Sequence, residues 1–140
     1  MQKRKQSGFT LIEIMVVVVI LGLLATLVIQ AVGDRPDQAR EVKVRNDLSA
    51  LESALKMYRL DTMSFPKMKE GLVALVEQPQ GQNNWRGPYI ERLPQDPWGN
   101  DYLYRVPSQH KHKFDIYTLG ADNAEGGSES DADIGNWSLK

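Results

Sequence analysis

The chain contains no cysteine, which excludes a disulfide framework, thiolate catalysis and thiolate metal sites. It also lacks an excess of positive charge: 17 Lys and Arg stand against 18 Asp and Glu, so nothing favours nucleic acid as a partner. With a membrane segment set aside, about a hundred of the 140 residues remain, enough for one small domain. A domain of that size without disulfides often needs another support, such as a metal ion or a partner subunit.

Catalytic patterns are missing as well. No serine lies in a nucleophile elbow, and no glycine-rich phosphate loop is present. His110 and His112 have no evident third metal ligand and are interpreted as part of a solvated loop. Asp96, between two prolines, is interpreted as a turn-forming residue. These absences argue against an enzyme.

The charges are unevenly distributed. Three basic residues, Lys3, Arg4 and Lys5, lie within residues 1–8, here called the leader. Without them 14 Lys and Arg stand against 18 Asp and Glu, a net charge of −4. Five acids and no Lys or Arg occupy residues 122–133, and these acids are Asp122, Glu125, Glu129, Asp131 and Asp133. The leader and this late segment therefore differ sharply in electrostatics.

A nearly unbroken apolar run follows the basic leader. From Ile14 to Val32 it spans 19 residues, about 28 Å as a helix, which is close to the thickness of the hydrocarbon core. Basic residues before such a segment keep the leader cytoplasmic and send the rest of the chain across.

One carboxylate, Glu13, lies at the edge of this run, where a charge is costly in lipid. Three interpretations compete for the segment. A secretory signal lacks a clear cleavage site here, and a permanent signal-anchor leaves Glu13 unexplained. In the third, cleavage after Gly8 makes Phe9 a new N-terminus, whose ammonium pairs with Glu13 of a neighbouring helix.

Residues 8–13, Gly-Phe-Thr-Leu-Ile-Glu, followed by the apolar run, resemble the signal of type IV pilins and type II secretion pseudopilins. The resemblance implies cleavage between Gly8 and Phe9 by the prepilin peptidase, with N-methylation of Phe9. It departs from the pattern at Gln30, where these families commonly carry a proline.

Beyond the run, an apolar stripe at spacings of four, three, four and three predicts an amphipathic helix over about residues 36–61. The stripe consists of Val44, Leu48, Leu51, Leu55 and Tyr58. A short helix is predicted at 70–77, a polar loop anchored by Trp85 at 78–88, and strands at 102–106, 114–119 and 137–139. Helices first and strands later predict an α+β fold.

The acidic segment admits two interpretations from spacing alone. Crowded carboxylates repel one another, so either solvent or a hard cation such as Ca²⁺ must accommodate them. Glycines at 126 and 127 allow a sharp turn, but the pattern is not that of an EF-hand.

Three C-terminal segments, at 93–99, 117–122 and 133–137, together resemble the major pseudopilin family of type II secretion, and the likeness covers essentially the whole chain. The resemblance implies a pilin-like α+β fold with a calcium-binding loop. Its expected Ca²⁺ ligands are the carboxylates of Asp122, Asp131 and Asp133 and the backbone carbonyls of Leu119 and Ser128.

The expected organisation is a cleaved leader at 1–8, a membrane and filament-core helix at 9–32, and a periplasmic domain at 33–140. The expected function is that of the major subunit of the type II secretion pseudopilus, a homopolymer anchored once in the bacterial inner membrane. Its expected partners are minor pseudopilins, the prepilin peptidase, and the inner-membrane assembly platform with its ATPase. The alternatives are a type IV pilin, which the absent cysteines disfavour, and a monomeric membrane-anchored calcium-binding module.

Overall fold

The computed structural model describes residues 10–32 and 35–139, without the side chains of residues 26–32 and 35. The chain divides into two units, with the boundary between Pro36 and Asp37. The helices are α1 (Leu11–Val32) and α2 (Arg35–Thr62), and the strands are β1 (Leu103–Arg105), β2 (Asp115–Thr118) and β3 (Ile134–Gly135). Short 3-10 helices occupy Leu72–Leu75, Glu129–Asp131 and Asn136–Ser138. Two helices followed by a small antiparallel sheet confirm the predicted α+β class.

α1 includes most of the predicted apolar segment and continues through Gln30. Within the described residues, no helix is long and apolar enough to cross a membrane. The predicted segment at 9–32 extends beyond the described part, because Phe9 and the side chains after Ala25 lie outside it.

The core of the second unit is built on α2. All five residues of the apolar stripe, Val44, Leu48, Leu51, Leu55 and Tyr58, are at most 1% exposed, which confirms the predicted face. Burying a large apolar side chain contributes about 1.5–3 kcal/mol, so this stripe is the main attachment of the helix to its domain. α2 ends at Thr62, whose hydroxyl donates to the Tyr58 carbonyl at 2.8 Å, and Met63 follows with a φ of 62°.

The three strands pair antiparallel in the order β1-β2-β3. Tyr104 pairs with Ile116 across β1 and β2, and Tyr117 pairs with Gly135 across β2 and β3. All four residues of the central strand β2 are buried, whereas each outer strand is only partly buried.

The third strand was predicted wrongly at 137–139, since the strand lies at Ile134–Gly135 and Asn136–Ser138 is a 3-10 helix. The reason is the buried side chain of Asn136. Its Oδ1 accepts from Ile116 N at 3.1 Å, and its Nδ2 donates to the Phe114 carbonyl at 3.1 Å. The amide thus replaces strand pairing along β2, and the backbone is free to turn away.

The short helix predicted at 70–77 is a 3-10 helix limited to Leu72–Leu75. Trp85 Nε1 donates to the Ala74 carbonyl at 2.8 Å, and Tyr89 N donates to the Leu75 carbonyl at 2.8 Å. Because these carbonyls bind the 85–89 segment, they are not used to continue the helix. Trp85 is the partly buried anchor that the sequence predicts.

Candidate functional site

The first functional feature is the start of α1. Thr10 N donates to Glu13 Oε2 at 3.4 Å, and Glu13 N donates to Thr10 Oγ1 at 3.3 Å. This reciprocal pair is a capping box, in which each side chain accepts from a backbone N–H of the other residue, and Glu13 N is shared with the Thr10 carbonyl at 3.1 Å. Sequence reasoning missed this role, although Thr-x-x-Glu before an apolar run is its signature. The predicted cleavage site, Gly8 and Phe9, lies outside the described residues.

Both capping bonds are long, and both groups are exposed. An ionised carboxylate can accept about four hydrogen bonds, so Glu13 retains capacity for a further donor. The large apolar side chains of α1 on either side of it, from Leu11 to Leu24, are between 47% and 78% exposed. The helix therefore presents a capped acidic end and an apolar surface on all sides.

The second feature is the loop from Gly120 to Asp133, which folds back on itself. Ala121 N donates to the Ser130 carbonyl at 2.9 Å, which fixes the start of the loop against its end. A Cβ on Gly120 would lie 2.7 Å from the backbone carbonyl carbon of Asp131, and a Cβ on Gly127 would lie 2.3 Å from the backbone carbonyl oxygen of Asp131. Both glycines have positive φ, so the fold of this loop requires glycine at these two positions.

Two of the predicted calcium ligands are tied into this loop by backbone donors. Asp122 Oδ1 accepts from Ala124 N at 3.1 Å, and Asp133 Oδ2 accepts from Gly126 N at 3.0 Å. The predicted Ser128 carbonyl accepts from Asp131 N at 3.1 Å. Across residues 10–32 and 35–139, no three Asp, Glu or His side chains converge as a ready metal cluster.

The other carboxylate oxygen of Asp133, Oδ1, is buried and has no hydrogen-bond partner within the described part of the chain. Leaving such an oxygen unsatisfied costs about 1–3 kcal/mol, and more when it is charged. The groups in the loop that could bind a cation are carboxylates and backbone carbonyls, which are the oxygen ligands that Ca²⁺ prefers. The residues present therefore fit a hard cation bound at Asp133.

The motif at 93–99 holds the base of this loop. Asp96 is 4% exposed, and its carboxylate accepts from Trp98 N at 3.0 Å, Asn100 N at 2.8 Å and the Thr118 hydroxyl. Asp96 therefore forms the turn that the sequence predicts. It also joins that turn to the end of β2, two residues before the loop begins at Gly120, and sequence reasoning missed this link.

His110 and His112 both lie exposed in the loop between β1 and β2, but the sequence did not predict the ordered contacts of His110. The His110 ring stacks on Trp137 with centroids 3.7 Å apart, and its Nδ1 lies 3.2 Å from Asp115 Oδ2. Burial of the Asp115 carboxyl opposes its ionisation. Hydrogen bonds from the Ser108 hydroxyl and Gln109 N, together with His110, nevertheless hold the pKa of Asp115 below its ordinary value. The buried carboxylate thus fixes the β1–β2 loop.

Known proteins match both the N-terminal and the C-terminal part of this chain. Residues 31–137 match the family described as "Type II secretion system (T2SS), protein G", and residues 3–29 match the "Prokaryotic N-terminal methylation motif". A "Type II secretion system core protein G" of Pseudomonas aeruginosa is 55% identical over 141 residues, covering 98% of this chain and 99% of the relative. The Vibrio cholerae protein of the same name is 50% identical over 140 residues, covering 98% and 95%.

A solved structure is similar as well. The major pseudopilin of the type 2 secretion system of enterohaemorrhagic Escherichia coli superimposes with a TM-score of 0.67 at 45% identity. The likeness covers 77% of this chain and 95% of that one. A methylation motif leading into an apolar helix, followed by a small α+β domain, defines a pilin-like protein. Within that class, the chain belongs to the type II secretion system protein G family.

Proposed function

We infer that this chain is the major structural subunit of a type II secretion pseudopilus, a filament that helps to export folded proteins across the outer membrane. The observation that carries this inference is the surface of α1. Its large apolar side chains from Leu11 to Leu24 are about half exposed or more, while the second unit already has a core of its own. An apolar helix of this kind is covered either by lipid or by helices of other subunits.

The helix anchors the subunit once in the bacterial inner membrane, with the C-terminal domain in the periplasm. The basic leader at 1–8 remains cytoplasmic, and the prepilin peptidase cleaves between Gly8 and Phe9 and methylates Phe9. The methylation motif matched at residues 3–29 supports this processing.

Glu13 then directs assembly. Its carboxylate pairs with the Phe9 ammonium of a neighbouring subunit, because each charge is costly in lipid without the other. Before assembly, the capping box gives the same carboxylate one donor within its own chain, Thr10 N. Because the Glu13 carboxylate exchanges Thr10 N for the Phe9 ammonium of the neighbour, α1 leaves the bilayer without an unpaired charge.

Ca²⁺ is held in the loop by Asp122, Asp133 and Asp131, with the Leu119 and Ser128 carbonyls completing the oxygen donors. The role of the ion is structural, since it supplies the partner that the buried Asp133 oxygen lacks. An ordered loop then presents a constant surface to neighbouring subunits. The role of the chain is structural rather than catalytic.

The chain assembles with further copies of itself and with minor pseudopilins. The sequence has no nucleotide-binding motif, so the energy for assembly comes from the ATPase of the inner-membrane platform.

The test compares Glu13→Gln with Glu13→Ala. Glutamine keeps an oxygen for Thr10 N but has no charge, whereas alanine removes both the cap and the charge. Removing one member of a buried ion pair costs about 3–5 kcal/mol, so we expect both variants to lose more than about 99% of filaments and secretion. Filaments are counted by electron microscopy, and secretion is measured as the fraction of a substrate outside the cell.

N-terminal mass spectrometry is the control, because methylated Phe9 in each variant separates an assembly defect from a processing defect. Normal filaments in Glu13→Gln with a defect only in Glu13→Ala would limit Glu13 to capping. Normal filaments and secretion in both variants would contradict the filament function and favour a plain membrane anchor.

A further inference from the structure

A basic groove lies between the C-terminal half of α2 and the β1–β2 loop. Its charged lining consists of Lys56 and Arg59 from the helix, Lys111, His112 and Lys113 from the loop, and a single acid, Glu52. The groove has a volume of about 430 Å³ and is open to solvent. With histidine neutral, four cations and one carboxylate give it a formal charge of +3.

Among the described residues, most of this charge has no ion-pair partner. Lys56 pairs with Glu52 at 3.1 Å, but Lys56 is exposed and Glu52 only partly buried, so the pair contributes little. Arg59 lies over the Phe65 ring at 5.2 Å. Among residues 10–32 and 35–139, no carboxylate lies within ion-pair distance of Arg59, Lys111 or Lys113. Like charges gathered in one groove attract an anionic partner.

A hydrogen-bond network around Asp115 holds the loop side of the groove in place. Buried Asp115 accepts from the Ser108 hydroxyl and from Gln109 N, and it also contacts the His110 ring that stacks on Trp137. Because this network anchors the loop just before and just after residues 111–113, its lysines stay beside α2. A groove that is already formed loses less entropy when it binds a partner.

The groove continues into an apolar rim, which indicates that its partner is a protein. Lys56 and Arg59 also line a second hollow together with Leu60 and Met63, which are 77% and 82% exposed. These are the two most exposed large apolar side chains of the second unit. Exposed apolar residues beside charged ones are typical of protein interfaces rather than of sites for small anions.

A matching surface occurs on the chain itself. Residues 122–133, here called the acidic turn, carry five carboxylates and no Lys or Arg. Glu125 and Glu129 are exposed and stand outside the proposed calcium ligands. In the described part of the chain, no ion pair joins the acidic turn to the groove, and the long pair between Glu125 and Arg105, at 3.8 Å, leaves Glu125 82% exposed. A bound Ca²⁺ would still leave the turn with a formal charge of −3, opposite to that of the groove.

We propose that the basic groove of one subunit receives Glu125 and Glu129 of the acidic turn of a second copy of this chain. The proposal rests on the filament function inferred above. The contact joins two different surfaces, and such heterologous contacts build open helical arrays when the rotation does not close a ring. It is therefore a contact that a filament can repeat without limit.

The absence of cysteine allows a direct test in the full chain. Lys113→Cys is placed in one epitope-tagged copy and Glu129→Cys in a second copy with a different tag. The two copies are produced together in secreting cells and oxidised. Because each copy carries one thiol, a disulfide joining both tags reports a contact between subunits. The matched control replaces Glu129→Cys by Glu77→Cys, another exposed glutamate outside the acidic turn.

We expect the mixed disulfide with Glu129→Cys to exceed that with Glu77→Cys by about two- to fivefold, the factor that one favourable exposed ion pair supplies. Charge reversal provides a second measurement. Lys111→Glu with Lys113→Glu, or Glu125→Lys with Glu129→Lys, should reduce filaments, and all four changes in one chain should restore them.

Equal cross-linking of Glu129→Cys and Glu77→Cys in cells that form filaments would overturn the contact and leave the filament function intact. A stronger disulfide between two Lys113→Cys copies would also overturn it, because it would indicate a symmetric contact. A wild-type chain that forms no filaments would overturn both proposals together.

Discussion

Calcium should raise the melting temperature of the domain at residues 37–140, and Asp133→Asn should remove most of this increase. The prediction starts from Asp133 Oδ1, a buried carboxylate oxygen without a hydrogen-bond partner among the described residues. Its other oxygen accepts from Gly126 N at 3.0 Å. An asparagine oxygen can keep that hydrogen bond, so the substitution removes the charge with little change in shape.

The expected increase in melting temperature follows from the unsatisfied Asp133 oxygen and from the affinity of the loop for the ion. An unsatisfied buried oxygen costs about 1–3 kcal/mol, which a bound cation recovers. At a hundred times its Kd, an ion that binds only the folded state adds about 2.7 kcal/mol to the free energy of unfolding. For a domain of about a hundred residues, 1 kcal/mol shifts the melting temperature by about 4–8 °C, so calcium should raise it by about 10–20 °C.

Circular dichroism during heating gives the melting temperature in chelator, in added Ca²⁺ and in added Mg²⁺. Mg²⁺ should have a smaller effect, because it requires a more regular octahedral site. Glu125→Gln is the matched control, since it removes a carboxylate from the same turn but not from the proposed ligands. An equal Ca²⁺ shift in Asp133→Asn and the wild type, or no shift in either, would refute the reasoning.

Two further predictions concern the framework around the loop. Asp96→Ala should lower the free energy of unfolding, measured by urea titration, by about 3 kcal/mol or more, because it leaves Thr118 and two backbone N–H groups without their buried acceptor. Asp96→Asn should lower it by less. An unchanged free energy of unfolding in Asp96→Ala would contradict the role assigned to Asp96. Because the pKa of folded Asp115 lies below its ordinary value, its ionised form adds stability near neutral pH that is lost as the pH falls through the folded pKa. The urea midpoint of the wild type should therefore drop more on acidification than that of Asp115→Asn, and parallel curves would contradict this linkage.

The predictions that held depend on local patterns. The stripe from Val44 to Tyr58 has the helical period, and burial of all five residues confirms it. The signal at residues 8–13 and the motif at 93–99 are contiguous in sequence, so they identified the family without any knowledge of the fold. The calcium ligands and the pairing of Glu13 with Phe9 remain predictions.

The predictions that failed depend on contacts between distant residues. The third strand ends early because the Asn136 side chain accepts from Ile116 N and donates to the Phe114 carbonyl, about twenty residues earlier in the chain. The short helix stays at one turn because Trp85 and Tyr89 take its carbonyls.

The sequence by itself determined the apolar helix, the face of α2 that is buried, the processing signal and the family, because periodicity and short motifs act within a few residues. The tertiary structure decided which polar groups meet: Asp96 with Thr118, Asp115 with His110, and Asp133 with Gly126 N as the one donor to its carboxylate among the described residues. It also placed Lys56 and Arg59 beside Lys111 and Lys113, more than fifty residues later in the chain. A local pattern cannot specify such pairs, because a side-chain hydrogen bond or a charged groove exists only once packing has brought the two segments together.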